Sequence, residues 1–167
     1  MSGKTSADST MDAIMRAVTL GRDGHPEQAR EGLAEIWASI GPEGDPLHRC
    51  TLAHFMADLQ PDAAQALAWD IRALDAAAAL TNERARQHHA TLDVAGFYPS
   101  LHLNLADNYR RLGSFEAAQR ELDATRTHLH TLGDDPYGAT IRTAVDEIES
   151  AVRAKSTVRR DSAPDPR

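Results

Sequence analysis

Three stretches of this chain place small and large apolar residues at the same intervals around a turn, and that recurrence restricts the fold more than any other feature. They are "AVTLGRDGHPEQAREGLAEI", "LAHFMADLQPDAAQALAWDI" and "ADNYRRLGSFEAAQRELDAT". In the third, the spacing is carried by Leu105, Ala106, Tyr109, Gly113, Ala118 and Leu122. Ala17, Leu20, Gly24, Ala29, Leu33 and Ile36 share it in the first, and Leu52, Phe55, Leu59, Ala64, Ala68 and Ile71 in the second. Such a pattern fits a helix, a tight turn and an antiparallel helix, with a small residue where the two cross, since only a small side chain lets them approach closely. Ala29 and Ala64 are 35 residues apart and Ala64 and Ala118 are 54 apart, so about twenty residues are inserted before the third unit, around "TNERARQHHATLDVAG".

Punctuation by Gly and Pro gives the same organisation. It predicts helices over 10–22, 26–40, 47–59, from Pro61 to at least Leu80, 99–113, 115–132 and 137–155. The last presents Ile141, Val145, Ile148 and Val152 as a single stripe, the pattern of a helix with one buried face. It is expected to cap the third unit, or else to form a dimer contact, so monomer and homodimer both stay open. Residues 1–9 and 156–167 are polar, and the second of these segments adds proline and charge without apolar period. They are expected to be flexible, leaving 10–155 as one domain. Aromatic residues are only 5 % of the chain and β-branched runs are missing, which favours an all-α fold.

"LADNYRRLGSFEAAQREL", with small Ala106, aromatic Tyr109, turn glycine Gly113 and crossing Ala118, resembles the tetratricopeptide repeat family. The resemblance spans residues of about 10 to 132 and implies about three antiparallel helix pairs that bind a protein or peptide. It departs from the family where a large apolar residue gives way to His48 and His102, and where the closing proline is missing. In that family the partner usually lies along the first helices of the pairs, which here implies a groove with Arg49, Met56, Leu103, Asp107, Asn108 and Arg110. Arginine pairs bidentately with carboxylate, so Arg49 and Arg110, with Asn108, suit a peptide terminus. The first unit offers only apolar Met11, Ile14 and Val18 on that face, so an amphipathic helix or extended peptide is the expected ligand, not one held by a full carboxylate clamp. Some bacterial relatives bind signal peptides and regulate a partner, which the resemblance offers as a further, weaker role.

A different function is also encoded as an expectation. Cys50, His54 and Asp58 stand four apart and share a helix face, and His102, Asn104, Asp107 and Asn108 lie on another first helix. Helices 47–59 and 99–112 together are thus a candidate wall for a metal or small ligand, with Cys50, His54, Asp58 and His102 as donors. The competing and favoured interpretation treats Cys50 as a small core residue and the histidines as packing groups. No cofactor is otherwise implied: "SGKTS" lacks the glycine and strand that precede a phosphate loop, and adjacent His88 and His89 diverge on a helix.

Composition narrows the classes further. A formal net charge of −7 with no arginine-rich face argues against nucleic-acid binding. Lysine occurs only at Lys4 and Lys155, the arginine bias of a high-GC genome. A single cysteine excludes an internal disulfide and suits a reducing compartment, and "MDAIMRAVTLG" is too short and charged to span a membrane. The sequence therefore predicts a cytoplasmic, membrane-free, non-catalytic binding scaffold.

Overall fold

The computed structural model describes residues 8–81, 84 and 94–160. Among them the chain is all-α, built from helix pairs, with no strand. In chain order the helices are α1 (Ser9–Arg22), α2 (Pro26–Ile40), α3 (Pro46–Asp58), α4 (Ala63–Ala78), α5 (Tyr98–Arg111), α6 (Phe115–His128) and α7 (Pro136–Arg153). Short 3-10 turns, Val94–Phe97 and Leu129–Thr131, precede α5 and follow α6. Each start has a local cause. Asp8, Asp45, Asp62 and Asp135 accept hydrogen bonds from the first-turn amides of α1, α3, α4 and α7, and prolines open α2, α3 and α7.

α1 packs on α2, α3 on α4 and α5 on α6, giving three antiparallel pairs in succession; α7 lies against α5 and α6. The turn glycines Gly24 and Gly113 have φ of 93° and 79°, which an L side chain adopts only with strain, and their amides close the ends of α1 and α5. The α3–α4 turn, Leu59 to Asp62, has no glycine and is one residue longer, so α4 begins at Ala63 and not at Pro61.

That longer turn shifts the repeat register. The buried small residue is the fourth of each second helix: Ala29, Ala66 and Ala118. Ala64, which the 35-residue spacing selects, is exposed. The first helices agree when counted back from their ends, with Ala17, Ala53 and Ala106 buried at one position. Close approach is tight in the first pair, where a Cβ on Gly21 would stand 3.3 Å from the Ala29 Cβ and 3.1 Å from Leu59 Cδ2.

Three apolar clusters run along the array. Met11, Ile14, Leu33, Leu47, Leu52 and Met56 join α1, α2 and α3. Leu103, Ala106, Leu122, Ile141, Val145 and Ile148 join α5, α6 and α7, so the stripe on α7 covers the last pair as a cap. Between them lies a smaller cluster of Cys50, Ala53, Ala73, Ala76, Ala77 and Leu101. After α7, Lys155 takes a left-handed φ of 50°. The Ser156 amide then reaches back to the Ala151 carbonyl and the Lys155 amide to that of Val152. This is the two-bond helix terminus usually built on glycine, and with lysine it carries roughly 1 kcal/mol of strain. It turns residues 156–160, which the sequence assigns to the flexible tail, back onto α5; residues 1–7 and 161–167 and most of the 81–96 insert, including His88 and His89, lie outside the described residues.

The register predicts a contrast. Ala118→Leu should destabilise the protein by about 1–3 kcal/mol through overpacking at the crossing, whereas Ala64→Leu should change it by no more than about 0.5 kcal/mol. Urea denaturation of the two variants checks this, and equal costs would disprove the shifted register.

Candidate peptide-binding cleft

Two charged residues occupy positions that are apolar in the other pairs. The eighth residue of the second helix is Leu33 in α2 and Leu122 in α6, both fully buried, but in α4 it is Asp70, which is 2 % exposed. The next-to-last residue of the first helix is Gly21 in α1 and Ala57 in α3, but in α5 it is Arg110, which is 0 % exposed. Both flank the junction of the second and third pairs. Ala57, Asp58, Gln60, Ala66, Asp70, Asn104, Asp107, Asn108 and Arg111 line a cleft there, and Arg159 and Arg160 complete its wall from the segment after α7.

The cleft is acidic on its helical side. Asn108 donates to Asp70 Oδ2 at 2.6 Å, while Asp70 Oδ1 is buried with no hydrogen bond of good geometry among the described residues. Burial, reinforced by nearby Asp58, holds the Asp70 carboxyl well above the usual carboxylate range, although Asn108 and Asn104 oppose it. Asp58 is also pushed up by burial, with His54, Arg22 and Arg159 pulling it back. Asp107 instead meets the Arg110 guanidinium, whose Nε and Nη2 donate to Asp107 Oδ1 at 3.0 and 2.8 Å.

Arg110 uses its remaining fork on main chain. Its Nη1 donates to the carbonyls of Ser156 at 2.7 Å and of Val158 at 2.9 Å. One arginine nitrogen thus bridges two carbonyls that lie two residues apart, where the chain bends at Val158, and it does so independently of the side chains of those residues. Thr157 and Val158 are exposed there, whereas Arg159 and Arg160 are half-buried. Arg160 Nη1 lies 2.6 Å from Glu147 and its Nε 3.6 Å from Asp107. With this segment in place the free space is about 50 Å³, room for one or two waters.

The residues expected in the groove separate. Asp107 and Asn108 line the cleft and Arg110 backs it, but Met56 and Leu103 are core residues. Met56 packs among α1 and α2, and α7 covers Leu103, so neither is available to a ligand. Arg49 is elsewhere, stacked 4.1 Å over Trp37 and donating to the Gly41 carbonyl. The proposed carboxylate grip of Arg110 is taken by Asp107.

The metal-ligand expectation fares differently. Cys50 is 1 % exposed among alanines, and burial pushes its thiol up to about 12, far from a thiolate ligand. His54 Nδ1 meets Asn104 Nδ2 at 3.3 Å, while His102 turns to the other side of α5, where its Nδ1 is 2.7 Å from Glu121. There the His102 ring lies parallel to that of His128 at 5.6 Å, with Tyr98 stacked beside both. Burial and the neighbouring histidines lower the His128 pKa. Among the described residues no group of three or more His, Cys, Asp or Glu is arranged to hold a metal ion. Of the four expected donors only Asp58 faces the cleft.

No protein-family model, curated protein or solved structure matches this chain. No helix among the described residues is long and apolar enough to cross a membrane.

The sequence pattern singles out the polar residues of α5 but not Asp70, which stands between Trp69 and Ile71 near Arg72. Arg72 stacks 4.4 Å over the Trp69 ring. Asp70 and Arg110 are charges in apolar slots only when counted from the observed helix ends; the ends that Pro61 and Gly113 suggest put Ala68 and Leu112 there instead.

A raised carboxyl pKa makes a signed prediction. The unfolded Asp70 loses its proton near pH 3.8 but the folded one loses it later, so this group's contribution to stability falls as pH rises above about 4. Asp70→Asn removes that loss, so its stability relative to the parent should increase between pH 4.5 and 7.5 in urea titrations; parallel curves would contradict the raised pKa. For Cys50, a thiol reagent should modify the native protein only as fast as the structure opens, and far faster in denaturant.

Proposed function

We propose that this chain is a non-catalytic helical-repeat adaptor of the tetratricopeptide kind, which holds a peptide segment of a partner protein in the cleft between α3, α4 and α5. One observation carries this reading: the buried Arg110 guanidinium, fixed by Asp107, donates to the alternate carbonyls of Ser156 and Val158. Its Nη1 is thus held in place for main-chain carbonyls of a bent segment, and it sits at the position where α1 and α3 carry only a small residue. Peptide recognition of this type takes affinity from the backbone and selectivity from flanking side chains, a role suited to the acidic wall of Asp58, Asp70 and Asp107.

The same site gives little support to chemistry. The single thiol is buried and hard to ionise, and His54 and His102 face opposite neighbours. Repeat scaffolds use surfaces of this kind for partners, with the stacked pairs supplying rigidity.

A random-peptide display selection against the full chain tests the proposal. Selected peptides should bind in calorimetry and lose at least tenfold in affinity with Asp107→Asn, which leaves Arg110 without its anchoring charge. Binders indifferent to Asp107, or none at all, would refute a peptide site at this cleft.

A further inference from the structure

One wall of the cleft is a peptide-like segment of the chain itself, and its chemistry specifies what else fits. Residues 156–160 run across α5 with main chain on Arg110, Arg160 between Asp107 and Glu147, and Arg159 close enough to Asp58 to favour its ionised form. Remove this segment and the cleft keeps Asp58, Asp70 and Asp107, with Glu147 at its edge, against Arg111 and the already paired Arg110. The positive charges that face Asp58, Asp107 and Glu147 from across the cleft are Arg159 and Arg160 of the segment itself. Little free space is left beside it, so no second peptide can enter while it is seated.

We propose that the cleft accepts an arginine-bearing segment of a partner protein that presents its main chain to Arg110 as residues 156–160 do, and that residues 156–160 are an internal competitor that the partner must displace. This rests on the peptide-binding reading above and adds its ligand class and its regulation. The attachment of the segment suits displacement. It hangs from the left-handed Lys155, its Thr157 and Val158 side chains are exposed, and only main chain and arginines hold it. A partner segment with arginine in the same relation to its backbone can reproduce each contact.

The test uses the full-length chain and a fluorescein-labelled peptide, Ser-Thr-Val-Arg-Arg with blocked ends, read by fluorescence polarisation. The double variant R159E/R160E should bind it at least tenfold more tightly than the parent, and adding Asp107→Asn to that variant should remove at least tenfold. R159Q/R160Q, which introduces no new charge, should tighten binding in the same direction, and helical circular dichroism confirms that each variant is folded. A peptide with both arginines replaced by glutamine should bind at least tenfold more weakly. Equal affinity of parent and both variants would overturn the competitor role, as would a dimer by light scattering that disappears in the variants, because the segment would then be exchanged between two copies. Equal binding of the glutamine peptide would overturn the arginine preference but leave the peptide-binding reading intact. If the variants bind neither peptide while display-selected peptides bind through Asp107, only the inference falls; if those fail too, both fall.

Discussion

The architecture depends on the short distance between the helices of each pair. Ala29, Ala66 and Ala118, each the fourth residue of its second helix, are almost or fully buried, and Gly21 shows how little space remains opposite the first of them. Helices held this closely leave no room for a side chain to be misplaced, so positions along each pair become equivalent slots with defined sizes. Once the slots are fixed, any charge occupying one is held rigidly. That is why Asp70 and Arg110, in slots filled elsewhere by leucine and by glycine or alanine, can present a carboxyl group and a guanidinium in preset directions. Burying them has a cost in desolvation, offset by Asn108 for one and by Asp107 and two carbonyls for the other.

Much of the fold was legible in the sequence because Gly, Pro and Asp punctuate it by local physics. The stretch from Pro26 to Ile40 emerges as a helix with those bounds, and the stripe Ile141, Val145, Ile148 and Val152 is buried as a cap. Errors gather where punctuation is weak. The α3–α4 turn has no left-handed glycine to fix its length, and "DAAQALAWD" offers alanine at several successive positions, so spacing alone chose Ala64. The register two residues later became visible only through burial.

The site was legible in part. The polar residues of "SLHLNLADNYRRLG" lie on two faces of α5, and only the structure separates them: Asn104, Asp107 and Asn108 to the cleft, His102 to Glu121 and His128. Cys50, His54 and Asp58 share a helical spacing, but a helix face is about a hundred degrees wide and its edges meet different neighbours. Residues 156–160 carry no apolar period, and their position depends on main-chain carbonyls, which every residue has. No side-chain pattern could have announced them.

The uneven distribution of large apolar side chains has its own consequence. Leucines, isoleucines and methionines fill the clusters at both ends of the array, whereas the middle one buries alanines, Cys50 and Leu101 and is flanked by half-buried Trp37, Trp69, Leu74, Leu80, Phe97 and Tyr98. In a linear array stability is a sum of units and nearest-neighbour couplings, and cooperativity fails first at the weakest coupling. Here the middle junction is a close one: α5 packs on α4, with Ala73, Ala76, Ala77 and Leu101 in one cluster, although Asp70 stands in a slot that holds leucine elsewhere. Trp37 and Trp69, with ring centroids 5.2 Å apart, pack against both the first and the middle cluster, so the first two pairs and the junction beyond them are coupled through the same aromatic side chains.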